Sequence, residues 1–453
     1  MRGIYILFAA ISLSAQVPQG IRVDLEPAEP IHLPFVVDSN TPAIWRNGNL
    51  QLFHSAGEPM VSTFVAGSNE LITQPVVIDR HDHFPMWIES VWEYEGLLYG
   101  WYHHERMEVC PGSTLNTPQI GALVSHDGGK SFTDLGIVLS SGEPDNCAAQ
   151  NGYFANGHGD FSVIADQNRE YIYFLFGSYG VELANQGVAI ARMPVGNLSS
   201  PSGAVWKFHQ GAWNEPGLGG RVTPLFPAAT GWDQANTDSF WGPSVHWNSH
   251  VNRYVVLMNR SCCAPGWPQE GIYLTANADL ANPSGWSTPR RIVPYGDWYP
   301  WVLPEGENES NSTAGARARL FLRQDSDYDL VFSFEDLPAP EPAPEPTPEP
   351  APAPTPEPAA APTPEPTPAP EPAPTPEPAA DPAPTTEPTP DPAPAPEPAA
   401  EPAPTTEPTP DPAPAPEPPT DPLPADPTPV EPPPDSPLST DPPPTEPPPA
   451  ATL

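Results

Sequence analysis

Basic side chains are scarce in this chain. Its 453 residues include 17 Lys and Arg against 56 Asp and Glu, a formal net charge of −39. Phosphate backbones are held by clustered Lys and Arg, so the deficit excludes nucleic acid as a partner. Cysteine is equally sparse, at Cys110, Cys147, Cys262 and Cys263. No CxxC spacing occurs, which argues against a structural zinc site. An even count in an exported chain permits disulfides, with Cys110–Cys147 and a vicinal Cys262–Cys263 bridge among the three pairings that four cysteines allow. Apolar runs are short. The run Ile4 to Ile11 cannot cross a bilayer, and no other segment could, so no membrane span is expected. Long helical periodicity is missing as well, which leaves strands as the regular structure.

Proline is what the chain has in excess, with 75 residues. Nearly half the residues after Leu337 are proline, the rest are mostly Ala, Thr, Glu and Asp, and no Lys or Arg occurs there. That segment carries 21 of the acidic residues. It lacks the apolar side chains that offset the entropy of ordering a backbone, so residues 337–453 read as a disordered acidic tail. An internal repeat, DPAPTTEPTPDPAPAPEPAA from Asp381 and EPAPTTEPTPDPAPAPEPPT from Glu401, favours extended polyproline II. The tail reads as a spacer whose end contacts a cell envelope or another protein. At the other end, Met1-Arg2-Gly3, the apolar run and the small residues to Ala15 make a signal peptide over residues 1–15. The expected location is therefore secreted or extracytoplasmic.

Between these ends, residues 25–336 read as one all-β domain. Aromatic and β-branched runs recur, bounded by Gly, Asn, Asp and Pro. A weak repeat pairs a short apolar strand with an aromatic one across a turn: Asp38 to Ser55 around Asn47-Gly48, Glu89 to His103 around Glu95-Gly96, Asp160 to Ser178, Trp241 to Asn259, and a fifth unit from Trp298. Units starting roughly 50 to 80 residues apart suit a five-bladed β-propeller, in which the first strand of each blade lines a central channel. A jelly roll or sandwich is the rival all-β arrangement.

In a propeller the starts of the first strands converge on the axis. Asp38, Glu89 and Asp160 occupy such positions, and converging carboxylates are what glycoside cleavage needs: one to protonate the leaving oxygen, one to activate water or attack, and a third to tune its neighbour. Taken singly, each could instead cap a strand. His81-Asp82-His83 and His103-His104-Glu105 offer imidazoles beside carboxylates, a set able to ligate a metal. They read rather as a polar rim bonding sugar hydroxyls, so no cofactor is expected, with room left for a structural cation in the channel. Trp87, Trp241 and Trp298 lie near strand openings, where their faces could stack on sugars. The substrate-binding candidates are His54, Trp87, His103, Glu105, Trp241, Glu270 and Tyr299.

The run DSNTPAIWRNGNLQLFHS from Asp38 resembles the opening blade of five-bladed glycoside hydrolases of family 43, the arabinanase and xylosidase type. GIYLTANADLANPSGW from Gly271 to Trp286 resembles blade segments of the same enzymes. The resemblance implies Asp38 as general base and Asp160, before Phe161-Ser162-Val163, as the residue adjusting the acid's pKa. One departure stands out. The family's general acid is a Glu before Gly-Pro, and here Trp241 precedes Gly242-Pro243. The acid role then falls to Glu89, Glu105 or Glu270, or is absent. Ser125 to Phe132 (SHDGGKSF) fits the Asp-box of sialidase-type propellers, a structural hairpin turn. The expected activity is carboxylate-catalysed hydrolysis of an oligo- or polysaccharide, with Glu89 as acid. The alternatives are a carbohydrate-binding propeller that has lost the acid, or a surface-displayed scaffold or adhesion module.

Overall fold

The computed structural model describes residues 20–335, except 66, 69, 295 and 304–309. The signal segment 1–15 and the tail 337–453 lie outside the described residues. Strand pairing resolves into five antiparallel sheets around a ring. Blade I runs Ala43–Arg46, Asn49–Ser55, Pro59–Phe64 and Leu71–Pro75. Blade II runs Met86–Tyr94, Leu97–Arg106, Thr117–Ser125 and Ser131–Leu139, with Val77–Ile78 added in parallel at its edge. Blade III runs His158–Ala165, Tyr171–Tyr179, Gln186–Pro194, Trp206–His209 and Ala212–Pro216. Blade IV runs Ser239–Asn248, Arg253–Ser261, Gln269–Asn277 and Arg290–Val293. Blade V is formed by Pro300–Leu303, Arg317–Leu322 and Asp325–Phe334, and its outer strand is the N-terminal segment Ile21–His32. That last pairing, from Ile21 opposite Phe334 to His32 opposite Asp325, joins the two ends of the ring. No helix among the described residues is long and apolar enough to cross a membrane.

The core is divided among the five blade-to-blade interfaces. Phe53 and Val61 meet Met86, Ile88 and Leu98 between blades I and II. Trp101 and Ile120 meet Phe161, Ile172 and Phe174 between II and III. Tyr173, Leu175 and Ile190 meet Val245, Val256 and Met258 between III and IV. Val255 and Leu257 meet Val302, Leu320 and Leu330 between IV and V, and Leu50 and Leu52 meet Trp301 and Phe321 to complete the circle. Successive side chains of a strand point to opposite faces. Phe174 therefore feeds one interface while Tyr173 and Leu175 feed the next. With both faces buried, the inner strands read as continuous apolar runs, not as alternating ones.

The turns follow local chemistry. Asn47-Gly48 and Glu95-Gly96 close two-residue hairpins with positive φ at both positions (50° and 77°, 52° and 80°), the twist that matches right-handed strands. In the Ser125–Phe132 hairpin, Asp127 accepts from the Lys130 and Ser131 N–H groups and from the Ser131 hydroxyl, Ser125 Oγ accepts from the Gly129 N–H, and Phe132 packs inward. Both disulfides, Cys110–Cys147 and the vicinal Cys262–Cys263, are formed.

Candidate functional site at the channel mouth

Three inner strands break register near the same end. Bulges fall between Ile88 and Ser90 in blade II, Gly159 and Phe161 in blade III, and Trp241 and Ser244 in blade IV. A bulge leaves a residue out of the ladder and re-aims its side chain. Glu89 and Asp160 occupy the first two, and Gly242-Pro243 the third. Asp160 is held at φ 43° and Tyr299, just ahead of the inner strand of blade V, at φ 53°. Left-handed backbone is costly for side chains of this kind, and here two such residues fall at one channel mouth. Gly159 has no room for a side chain, because a Cβ there would lie 2.7 Å from the His103 ring.

Asp38, Trp87, His103, Glu105, Asp160, Trp241 and Tyr299 line one funnel of about 90 Å³, together with Tyr153, Phe154, Trp267 and Trp298. Seven of the ten site residues expected from sequence thus meet in one place. Asn40 fixes the loop carrying Asp38, donating from Nδ2 to the carbonyls of Phe161 (2.8 Å) and Pro243 (3.2 Å) on two neighbouring blades.

The other three lie elsewhere. Glu89 is 1% exposed and sits beneath the floor. Its Oε2 accepts from the Phe161 N–H at 2.7 Å and its Oε1 lies 3.2 Å from His103 Nδ1. With both oxygens engaged away from the cavity, it does not reach a leaving group, which corrects its assignment as acid. The reason is the bulge, which turns it inward. His54 is buried in blade I, bonded through Nε2 to Ser62 Oγ (2.9 Å) and stacked on Phe35 at 3.9 Å, and burial lowers its pKa to about 4. Glu270 pairs with Arg260 (2.8 Å) and Arg291 (3.3 Å). Its neighbour Gln269, on the opposite face of the strand, is the one that reaches inward to accept from Trp241 Nε1 at 3.2 Å. His83 likewise bonds Asp134 (2.6 Å) and Tyr102 (2.7 Å) within blade II, away from the funnel.

His103 is the hub of the floor. Its Nδ1 lies 3.2 Å from both the Glu89 carboxylate and the Asp160 N–H, so it can donate to the first or accept from the second, not both. Its Nε2 lies 3.7 Å from Glu105 Oε1. Burial disfavours its cation, but the bond and charge of Glu89, reinforced by Asp160 and Glu105, outweigh burial and raise its pKa to about 9. Burial raises Glu89 to about 7 against the pull of His103. Glu105 is half-buried in the wall, and Asn116 Nδ2 donates to its Oε2 at 2.8 Å. Burial raises its pKa, and the charges of Asp160 and Asp38 add to that, against His103 and Asn116. Asp38 is also raised, by loss of water and by Asp160, partly countered by Arg323. Asp160 accepts a hydrogen bond from the buried Tyr179 hydroxyl.

Donor atoms of Glu89, His103 and Asp160 lie within 4.8 Å of one another, a set that could hold a cation. All three are already hydrogen-bonded to protein groups.

Sequence reasoning did not single out Tyr153, Phe154 and Trp267. The first two sit in Asn151-Gly152-Tyr153-Phe154-Ala155-Asn156-Gly157 and the third in Gly266-Trp267-Pro268. Isolated aromatics between turn formers were the available signal. Trp267 packs on Trp232 (4.4 Å), and Trp241 stands edge-on to Trp298 (5.5 Å) and Tyr299 (5.6 Å).

Fold and site together define a five-bladed β-propeller with one carboxylate- and aromatic-lined channel mouth. No family model and no curated protein sequence matches the chain. Among solved structures it is similar to a native arabinanase of Bacillus subtilis (12% identity, 67% of this chain and 95% of that one, TM-score 0.37). It is likewise similar to a thermostable family-43 glycoside hydrolase (12%, 70% and 99%, TM-score 0.40). A third is the catalytic domain of the Coprinopsis cinerea family-62 α-L-arabinofuranosidase (9%, 68% and 97%, TM-score 0.40). The blade count rests on strand pairing and the site on its own geometry.

Proposed function

We propose that the protein is a glycoside hydrolase acting on an oligo- or polysaccharide outside the cytoplasm. The observation that carries this reading is the meeting of three carboxylates, Asp38, Glu105 and Asp160, with aromatic walls in one funnel. Glu105 is the acid: a raised pKa keeps its proton available, and the proton passes to the glycosidic oxygen as the C–O bond breaks. Asp38, at the exposed mouth, is the base that takes a proton from the attacking water. The charge of Asp160 adds to burial in raising the Glu105 pKa, and the Glu89–His103 pair lies beneath them in the floor. Trp87, Trp241 and Trp298 present faces for the apolar side of sugar rings. Two disulfides and the leader-like N-terminus support an oxidising compartment. The test is hydrolysis of a panel of plant and algal polysaccharides by wild type, Asp38→Asn and Glu105→Gln. Activity in wild type that falls at least about a hundredfold in either variant agrees with the roles given; equal rates in all three remove both assignments.

A second reading has one observation of its own. Trp241 fills the position where the resembled enzymes carry their acid. A propeller that binds saccharides without cleaving them would show binding in the same panel and no released sugar.

A further inference from the structure

A cavity of about 250 Å³, larger than the catalytic funnel, opens where the inner strands end. Those strands run from Trp87, Asp160 and Trp241 at the funnel to Trp92, Ala165 and Trp247 at this cavity, about 17–20 Å along the strand direction. The site is thus at the opposite mouth of the channel. At about 30 Å³ per water it holds about eight waters, the scale of a sugar ring.

Its lining is chemically mixed. Trp92 and Trp247 come from different blades and are half-buried, each braced by a tyrosine: Tyr94 at 4.7 Å and Tyr254 at 4.8 Å. Trp101 also lines the cavity. It is 2% exposed, and its indole N–H has no acceptor among the described residues. A buried donor without a partner is costly unless a water or a ligand oxygen meets it. Asp166 is committed to the hairpin turn, accepting from the N–H groups of Glu170 (2.8 Å) and Tyr171 (3.2 Å). The exposed Arg169 guanidinium, by contrast, has no partner among the described residues. Gln167, Ser312 and Thr313 complete the rim.

We infer that this base cavity is a second, non-catalytic binding site for a neutral saccharide. Flat indole faces take the C–H face of a sugar ring. The Trp101 N–H, Arg169 and Gln167 are donors suited to its hydroxyls. The choice of a sugar over another neutral polyol rests on the carbohydrate reading of the funnel. Such a site would hold the propeller on a polymer while the opposite mouth works on a chain end or branch.

The test uses the full-length Asp38→Asn protein, titrated by calorimetry with xylohexaose, arabinohexaose, cellohexaose and laminarihexaose. Two equivalents of at least one of these should bind. The exposed pair Arg169→Asn with Gln167→Ala, and separately Trp247→Ala, should weaken one equivalent about tenfold or more. Trp298→Ala should weaken the other. Arg169→Asn suits the left-handed backbone of the turn (φ 57°), so the gentler variant tests the site even where Trp247→Ala unfolds. A single equivalent unaffected by the base variants overturns the second site and leaves the funnel reading standing. A single equivalent lost in the base variants and retained in Trp298→Ala supports the second site and removes the funnel reading. No binding to any of the four overturns the base site.

Discussion

Replacing Glu89 by Gln removes the charge that holds His103 cationic while keeping the shape of the side chain. In the wild type the folded-state pKa of His103, about 9, lies above its unfolded value of 6.5. The stability this contributes is complete below pH 6.5 and is lost as pH climbs through 9. Each pH unit over which the native state holds the extra proton is worth up to about 1.4 kcal/mol, so wild-type stability falls across that window. Glu89 acts in the same direction. Its pKa is raised from 4.5 to about 7, so this contribution has the same sign but is lost at lower pH, between 4.5 and 7. In Glu89→Gln the amide can donate to a neutral His103 Nδ1, and with the largest raising contribution gone burial pulls the imidazole pKa down. Urea unfolding of both proteins at intervals from pH 6 to 9 reads the difference: a steep decline in wild type and a shallow one in the variant. Equal slopes would refute the Glu89–His103 linkage, whatever the absolute stabilities.

Three further outcomes follow from the packing and the site. Asn116→Ala removes a donor that lowers the Glu105 pKa, so the alkaline limb of kcat/KM should move to higher pH. An unchanged limb would separate Glu105 from the acid role. Phe174 is fully buried between blades II and III, and Phe174→Ala should cost about 3–5 kcal/mol in urea unfolding. Loss below about 1 kcal/mol would mean the interface repacks. The Cys110–Cys147 bridge closes a separation of 37 residues, so the double Cys→Ser variant should lose about 4 kcal/mol. It should also loosen the segment that carries Asn116.

The inner hairpins were legible in the sequence because their turns announce themselves. Asn47-Gly48 and Glu95-Gly96 need only local chemistry to be seen, and aromatic runs such as Tyr171–Tyr179 follow from burial on both faces. Asp38, Asp160, Trp87, Trp241 and Tyr299 were legible for a related reason: the entry of an inner strand is where a propeller turns toward its axis. Glu89 was grouped with Asp38 and Asp160 as the start of an inner strand, whereas that strand begins at Met86. The bulge between Ile88 and Ser90 breaks the strand's period of two by one residue and sends the carboxylate under the floor. No residue type in that stretch announces the bulge, and the groups that Glu89 meets there, His103 and the Phe161 N–H, come from elsewhere in the chain. Outer strands were harder still, because the partner of Asp325–Phe334 lies some 300 residues away at Ile21–His32.

The displacement of Glu89 has a consequence for where an acid can sit in this ring. A residue at an inner-strand bulge is surrounded by neighbouring blades, so its carboxylate is either sealed, like Glu89, or propped up by a partner, like Asp160 on Tyr179. Sealing raises the pKa and also removes access to substrate. A general acid needs the first effect without the second. The end of the second strand offers both, because Leu97–Arg106 rises from the floor at His103 to the rim at Arg106, and Glu105 lies between, half-buried. There, burial and the charges of Asp160 and Asp38 raise its pKa, while the side chain still lines the open funnel. The strand that bears the hub histidine therefore also bears the carboxylate proposed as the acid. Moving the carboxylate one place along it, as in Glu105→Gln with Arg106→Glu, should not restore hydrolysis, since alternate positions on a strand face opposite ways. Recovery of activity in that double variant, measured on whichever polysaccharide the wild type cleaves, would show that charge near the mouth suffices and that the position of Glu105 does not matter.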